Sequence, residues 1–245
     1  MRRSLFSAAV AAASIFAAVL PPSADAQVLE LGDQTATPLV APTCPAGVNP
    51  SQCTIVLTRV TALATFTDGT YLPTMVTKAG RIVAFTVGLS SLSSSTTTRK
   101  KDIDYLNANY GGDAQVQMTI LREVKHKNKK KRKKHEFRVV AESGIFHVVQ
   151  YLGSVAQLPL QKSVEVKPGD LVALTTPTWA PVLAIDLSGN FHYRQSRNHH
   201  CDTPPTVQKA QATGGDTTYD CTYGGTRPEY AATEVTYPVA SNPVH

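Results

Sequence analysis

The sequence of 245 residues has little charge, few aromatic side chains and no long apolar run beyond its N-terminus. Charged residues make up 17% of the chain and aromatic residues 7%, whereas soluble domains usually contain about 25% charged residues. Glycine and proline, at 15 and 16 residues, are too few for a collagen-like or wholly disordered chain. These shortages exclude a coiled coil, a fibrous protein and a disordered tail. The remaining composition, uncharged and rich in Thr and Val, is typical of β-sheet.

The sequence also lacks the local motifs of common enzymes. It contains no Gly-x-Ser-x-Gly nucleophile elbow, no P-loop, no dinucleotide fingerprint and no His-Glu-x-x-His motif. Its acidic residues are scattered singly, so their spacing nominates no carboxylate pair for glycoside hydrolysis. We therefore predict no catalytic residue and no cofactor, and we favour a non-enzymatic protein. A secreted hydrolase whose site is assembled from residues distant in sequence is the alternative.

Residues 1–26 have the three parts of a secretory signal peptide. A pair of arginines precedes the apolar stretch 5–20, and Ala24-Asp25-Ala26 has the small residues of a cleavage site. The apolar stretch of 16 residues is shorter than the roughly 20 that a retained membrane anchor needs. We predict export with cleavage after Ala26. Since no second stretch of membrane length follows, we expect an extracellular protein, either free or associated with the cell surface.

The chain has four cysteines, and an even number in an exported protein predicts disulfides. Three pairings can be drawn. We favour the local pairing, Cys44–Cys53 and Cys201–Cys221, because each pair brackets a cluster of Pro, Gly and Asn turn residues. Each bridge would then fix a loop that has little core of its own.

A metal site is the alternative for the second cysteine pair. His199, His200, Cys201 and Asp202 are adjacent, and His192 is close in sequence. Neighbouring residues of a strand point to opposite faces, so the two adjacent histidines cannot easily share one metal ion. An oxidising compartment also favours a disulfide over a thiolate. We therefore predict no metal ligands.

Short segments of alternating apolar and polar residues recur from residue 54 onward and predict half-buried strands. In the first of them Val60, Ala62, Ala64 and Phe66 share one face. Other strand candidates are 145–151, 157–166, 170–176, 179–187, 190–194 and 233–237. Turn signals separate the candidates, and one short helix is expected within 101–109. This pattern predicts an all-β fold: a single β-sandwich or jelly-roll-like domain over 54–245, after a loose N-terminal arm (27–53) closed by the first disulfide.

Two residues are assigned structural roles in preference to functional ones. Trp179 shares its parity with the apolar residues that follow it, which favours a buried anchor over an exposed platform for a sugar ring. Asp170 follows Pro168-Gly169, and we expect its carboxylate to accept backbone hydrogen bonds in that turn. This turn role is favoured over acid–base chemistry at Asp170.

The most unusual segment is a basic run that we call the basic loop, residues 125–134, between two predicted strands. Its eight permanent charges are those of Lys125, Lys127, Lys129, Lys130, Lys131, Arg132, Lys133 and Lys134. Without residues 1–26 the chain carries a net charge of +5, and without these eight charges it would carry −3. The basic character of the protein therefore lies in one hairpin tip, which is either a solvated, self-repelling loop or a contact for polyanions. The partners expected are anionic envelope polymers or polysaccharide, with no specific nucleic acid.

Several segments resemble a group of uncharacterised exported proteins of actinobacteria. They span roughly residues 60–237, and they are Asn109-Tyr110-Gly111-Gly112, Ile120-Leu121-Arg122, the stretch 164–174, Pro177-Thr178-Trp179-Ala180-Pro181, Arg194-Gln195-Ser196-Arg197, Cys201, Cys221-Thr222-Tyr223 and Tyr230. The resemblance implies a secreted β-sandwich in which the two late cysteines are bonded. No activity comes with it, so it assigns no functional residue. The sequence as a whole predicts a secreted, non-enzymatic module that attaches to anionic or carbohydrate polymers of the cell envelope.

Overall fold

The structure is a computed structural model that describes residues 25–33, 36–45, 47, 53–125, 135–197, 201 and 209–238. The predicted signal peptide lies outside these residues, apart from Asp25 and Ala26. Within the part of the chain that the structure describes, no helix is both long and apolar enough to cross a membrane.

The described residues form fifteen strands, one α-helix and one 3-10 helix. In chain order the strands are β1 (Val28–Leu31), β2 (Leu57–Thr67), β3 (Thr70–Tyr71), β4 (Gly80–Gly88), β5 (Gln115–Glu123), β6 (Glu136–Glu142), β7 (Phe146–His147), β8 (Val155–Val166), β9 (Leu171–Ala180), β10 (Leu183–Ala184), β11 (Phe191–Gln195), β12 (Asp216–Thr218), β13 (Cys221–Gly224), β14 (Arg227–Pro228) and β15 (Tyr230–Thr236). Helix α1 (Thr96–Tyr110) connects β4 to β5, and the 3-10 helix (Val149–Tyr151) connects β7 to β8.

The strands build two main antiparallel sheets. The smaller sheet has the order β1-β15-β4-β8. The larger sheet has nine strands, ordered β12-β6-β5-β9-β2-β11-β13, with β3 paired to β2 and β7 paired to β5. Strands β10 and β14 form a separate short pair. The predicted all-β, sandwich-like fold is thereby confirmed.

The main core lies between the two sheets. Alternate residues of β2, β5 and β9, among them Val60, Met118 and Leu174, meet residues of β4 and β15 in one buried cluster. Tyr230 ties the sheets together, since its hydroxyl accepts from the Ala64 amide and donates to the Val172 carbonyl, both at 3.1 Å. We call the face of the larger sheet that lines this core the inner face, and the opposite face the outer face.

The N-terminal arm differs in part from its prediction. Residues 27–53 were expected to form a loose arm, but β1 pairs with β15 and forms an edge of the smaller sheet. Farther along, Arg227 donates to the carbonyls of Gly32 and Thr37, and Glu229 accepts from the amide of Val40. The arm is therefore fixed to the domain by a strand and by a buried ion pair, in addition to the Cys44–Cys53 disulfide.

Helix α1 is longer than the sequence analysis predicts. It spans 15 residues and begins at Thr96, within the Ser/Thr run that precedes the predicted helix. The Ser95 hydroxyl accepts the Thr98 amide at 3.3 Å and caps the first turn. Gly111 ends the helix in a left-handed conformation, with a φ of 92°. The prediction missed the first turn because β-branched threonines are weak helix formers, while the capping serine compensates for them.

Two strand candidates are wrong in detail. The segment 145–151 contains only the two-residue strand β7 before the 3-10 helix. The segment 179–187 is interrupted after Ala180, where β9 ends, so Trp179 does not share a strand with Leu183, Ile185 and Leu187. Two prolines nearby in sequence make this region hard to read by alternation alone.

A buried carboxyl group links the pH to the stability of the fold. Glu229 is 1% exposed, and its Oε1 lies 3.7 Å from Nε of Arg227. Burial raises the pKa of Glu229 from 4.5 to about 7. Because the pKa is higher in the folded state, the folded protein holds the proton of Glu229 more tightly than the unfolded chain does. The stability that this proton contributes is complete below pH 4.5 and is lost as the pH rises through 7.

We therefore expect the free energy of unfolding to fall between pH 5 and pH 8, by at most about 3 kcal/mol from this residue. Urea denaturation of the wild type and of Glu229→Gln across this range tests the expectation. The variant should have a flatter profile, although Glu234, whose pKa burial also raises, keeps part of the dependence. Identical profiles for the two proteins would assign the pH dependence to other groups.

Candidate functional site

Strands β5 and β6 form an antiparallel hairpin whose connection is the basic loop. The amide of Val124 donates to the carbonyl of Glu136 at 2.9 Å, so the residues that flank the loop are adjacent. Lys125 is described and exposed. The other predicted polyanion-binding residues lie outside the described residues, and they are Lys127, Lys129, Lys130, Lys131, Arg132, Lys133 and Lys134.

The arginines at the base of this hairpin are neutralised by aspartates. Arg122 forms a two-pronged ion pair with Asp170, with N–O distances of 2.7 and 2.8 Å. Arg138 pairs in the same way with Asp216, at 2.6 Å for both contacts. The strands of the hairpin therefore add little net charge, and the positive charge of this region is concentrated in the loop.

The outer face of the larger sheet carries a pocket beside the hairpin base, which we call the outer-face pocket. Its volume is about 340 Å³. Five apolar side chains line it, and they are Leu63, Phe66, Tyr71, Leu72 and Phe137. His135, the residue between the basic loop and β6, lines the same pocket. The pocket therefore includes the residue that directly follows the basic loop in sequence.

A β-bulge brings Phe66 to the outer face. Along β2 and β11 the pairing passes from His192–Phe66 to Tyr193–Ala64, so Thr65 is an extra residue on β2. Ala64 and Tyr193 belong to the main core, whereas Phe66 stacks on the His192 ring at a centroid distance of 6.0 Å. The predicted alternation, with Phe66 on the same face as Ala64, is wrong because the bulge shifts the face by one residue.

The aromatic residue at the rim is placed by a tight hairpin. Asp68 and Gly69 join β2 to β3 with φ angles of 44° and 88°, and an Asp-Gly pair with two positive φ angles is the preferred two-residue hairpin turn. This turn sets Tyr71 opposite Phe66 in the register. Tyr71 is 66% exposed, so its ring is open to a ligand.

The polar lining of the pocket is cationic or neutral. It consists of Thr65, His135, His192, Arg194 and Thr222, and none of the described lining residues is acidic. Arg194 is held in place by hydrogen bonds from its Nη1 to the carbonyls of Tyr219 and Asp220, at 2.8 and 3.4 Å. An apolar floor with donors and no carboxylate suits an anion that has an apolar surface.

A second buried cluster supports the pocket from below. Tyr219 is fully buried, packs edge-on against Phe137 at 5.3 Å, and donates to Oε1 of Gln211 at 2.7 Å. Burial raises the pKa of the Tyr219 hydroxyl, so it stays protonated as a donor. The nearby Cys201–Cys221 disulfide holds the start of β13. The walls of the pocket are therefore attached to rigid elements.

The structure shows how the four cysteines pair. The four cysteines form Cys44–Cys53 and Cys201–Cys221, which is the local pairing. Because Cys201 is part of a disulfide, it offers no thiolate to a metal ion. His199, His200 and Asp202 lie outside the described residues. Elsewhere in the described chain, no group of three or more His, Cys, Asp or Glu side chains could hold a metal ion.

Asp170, Arg122 and Trp179 make contacts within the fold. Asp170 accepts the Lys167 amide within its turn, as expected, and also accepts from the guanidinium group of Arg122 on β5. Trp179 is fully buried, as predicted, and its Nε1 donates to Oδ1 of Asn107 and to the carbonyl of Gly112. These residues maintain the fold, and none of the three side chains lines the outer-face pocket.

The pocket has no signature in the late tyrosines of the sequence. Tyr219 and Tyr230 are buried, Tyr223 stacks on Tyr193 at 5.0 Å, and none of the three lines the pocket. The Asp-Gly turn before Tyr71 was visible as a signal, because it places an aromatic residue at a fixed point of a hairpin.

The chain was compared with protein-family models, with curated proteins and with solved structures. No family model, no curated protein and no solved structure matches it.

Proposed function

We propose that this protein is an exported, non-enzymatic binding module that attaches to anionic polymers of the cell envelope through the basic loop. The observation that carries the proposal is the concentration of eight positive charges in one loop, whose flanking arginines are neutralised by Asp170 and Asp216. Export is supported by the signal-peptide pattern and by two disulfides in a small β-sandwich. We also propose that the chain is related to the exported actinobacterial proteins that it resembles.

The charge of the loop determines how such a module binds. Interactions between exposed charges extend only about 8 Å at physiological ionic strength, so the polymer must lie against the loop. Lysine outnumbers arginine seven to one in the loop. Lysine acts as a compact point charge, whereas arginine recognises phosphate and carboxylate groups by paired hydrogen bonds. We therefore propose that the loop supplies attraction and that it does not select among anions.

A salt titration of the full protein tests this proposal. We expect binding to a single-stranded dT oligonucleotide to weaken with a log–log slope of about −0.7 for each phosphate contacted. Five contacts then give a slope of about −3.5, and more contacts a steeper one, measured by fluorescence anisotropy between 50 and 200 mM NaCl. A dA oligonucleotide of equal length should bind equally well, because charge attraction does not distinguish bases. An affinity that does not change with salt would contradict attachment through charge.

A further inference from the structure

We infer that the outer-face pocket binds one acidic sugar ring, a hexuronate unit of the polymer that the basic loop attracts. The inference rests on the proposed function, because the loop brings the polymer to this face. His135 connects the two features: it lines the pocket and directly follows residues 125–134. A polymer bound at the end of the loop is therefore held next to a residue that lines the pocket.

The shape and lining of the pocket suit a sugar ring. A pyranose ring has C–H groups on its two faces and hydroxyl groups around its edge, so it packs by a face on aromatic rings. Phe66 and Tyr71 are directly paired across the β2–β3 hairpin and present such rings at the floor and rim. The volume of about 340 Å³ lies at the small end of ligand pockets, which begin at about 300 Å³.

The polar groups of the pocket indicate that the ring itself is charged. Arg194 lies in the same pocket as the aromatic rings, so a ligand ring on Tyr71 places its own substituents near a guanidinium group. A hexuronate carries its carboxylate on the ring, and guanidinium–carboxylate contacts are among the strongest hydrogen bonds in proteins. In a nucleic acid the stacked ring is neutral and the charge is on the backbone. Thr65, Thr222 and the imidazoles can donate to or accept from sugar hydroxyls.

The test compares two anionic probes, of which only one contains sugar rings. The first is a galacturonate hexasaccharide, and the second is inorganic polyphosphate, which offers charge to the loop and has no ring for the pocket. Removal of the exposed ring by Tyr71→Ala should weaken hexasaccharide binding about fivefold to tenfold and leave polyphosphate binding unchanged. Tyr71→Phe should keep the affinity of the wild type, and Tyr105→Ala, at a tyrosine 61% exposed on α1, is the matched control. Isothermal titration calorimetry measures all of these affinities.

A second variant tests the charge of the pocket. Thr222→Glu places a carboxylate at an exposed position of the lining and should weaken hexasaccharide binding more than Tyr71→Ala does. Gln161→Glu adds the same charge at an exposed position of β8 on the other sheet, so it shows the effect of net charge alone. A neutral galactose oligosaccharide should bind weakly to all of these proteins.

Each remaining outcome decides between the two proposals. If neither Tyr71→Ala nor Thr222→Glu changes hexasaccharide affinity while polyphosphate still binds, the pocket inference fails and the proposed function stands. If Tyr71→Ala weakens the binding of an oligonucleotide more than the binding of the hexasaccharide, the ring in the pocket is a nucleobase and the sugar assignment is wrong. If the wild type binds polyphosphate and no hexuronate, the pocket inference is again overturned. A wild type that binds neither probe overturns both proposals.

Discussion

Replacement of residues 125–134 by a short Gly/Ser loop is expected to abolish retention on a phosphocellulose resin at neutral pH. The replacement removes eight positive charges and turns the net charge of the chain without residues 1–26 from +5 to −3. The hairpin base stays intact, because the Val124–Glu136 hydrogen bond and the Arg122–Asp170 and Arg138–Asp216 pairs lie outside the replaced segment. The free energy of unfolding should therefore change by no more than about 0.5 kcal/mol.

Two triple variants distinguish the effect of the net charge on retention from the effect of the charge cluster in the loop. One replaces Lys129, Lys130 and Lys131 by glutamine within the loop, and the other replaces the exposed residues Lys101, Lys162 and Lys209. Both lower the net charge by three, but only the first should shorten retention strongly, because clustered charges act together at short range. Equal losses for the two variants, or retention that survives the loop replacement, would place the binding surface elsewhere. A large loss of stability would show that the loop contributes to the core.

Trp179→Ala is expected to be the most destabilising single substitution considered for this protein. The side chain is fully buried in the main core, and its Nε1 donates to Oδ1 of Asn107 at 3.0 Å and to the carbonyl of Gly112 at 2.9 Å. Truncation leaves a cavity and removes the donor for both acceptors, at a cost of about 4 kcal/mol. For a domain of this size that loss lowers the melting temperature by about 10 °C.

The two contributions of Trp179 can be measured separately. Trp179→Phe keeps much of the buried ring and loses the N–H group, so it should cost less than the alanine variant and still raise hydrogen exchange at the C-terminal turn of α1. Tyr237→Ala, at an aromatic residue 42% exposed, should change stability by less than about 0.5 kcal/mol. A tryptophan variant no less stable than this control would contradict the role of Trp179 as an anchor.

The fold class could be predicted from sequence because its signals are local. The alternation of apolar and polar residues in β2 depends only on residues that are adjacent in the chain. The same is true of the turn from Lys167 to Asp170. In that turn Gly169 has a φ of 89°, and the Asp170 amide donates to the carbonyl of Lys167 at 3.0 Å. Helix α1 was underestimated because its start depends on one capping serine, which outweighs the weak propensity of the threonines. The pairing of β1 with β15 joins the two ends of the described chain and has no local signature.

The candidate site was predictable only where its residues are contiguous. The basic loop is a single run, so composition reveals it. The outer-face pocket takes residues from β2, β3, β6, β11 and β13, which meet only when the sheet is assembled. Its orientation also depends on one extra residue, Thr65, and a register shift of one residue moves every later side chain to the other face. Alternation along a single strand cannot show where such a shift occurs.

The position of β15 determines when the protein can fold during its production. This strand lies between β1 and β4, and its register joins Val28 to Val235. While the ribosome or a translocation channel still holds the last part of the chain, β1 has no pairing partner among the described strands and β4 lacks one of its two neighbours. Contacts between residues so far apart in sequence also form slowly. If the chain is exported through a narrow channel, as proposed, this delay favours passage in the unfolded state, with folding and disulfide formation on the far side.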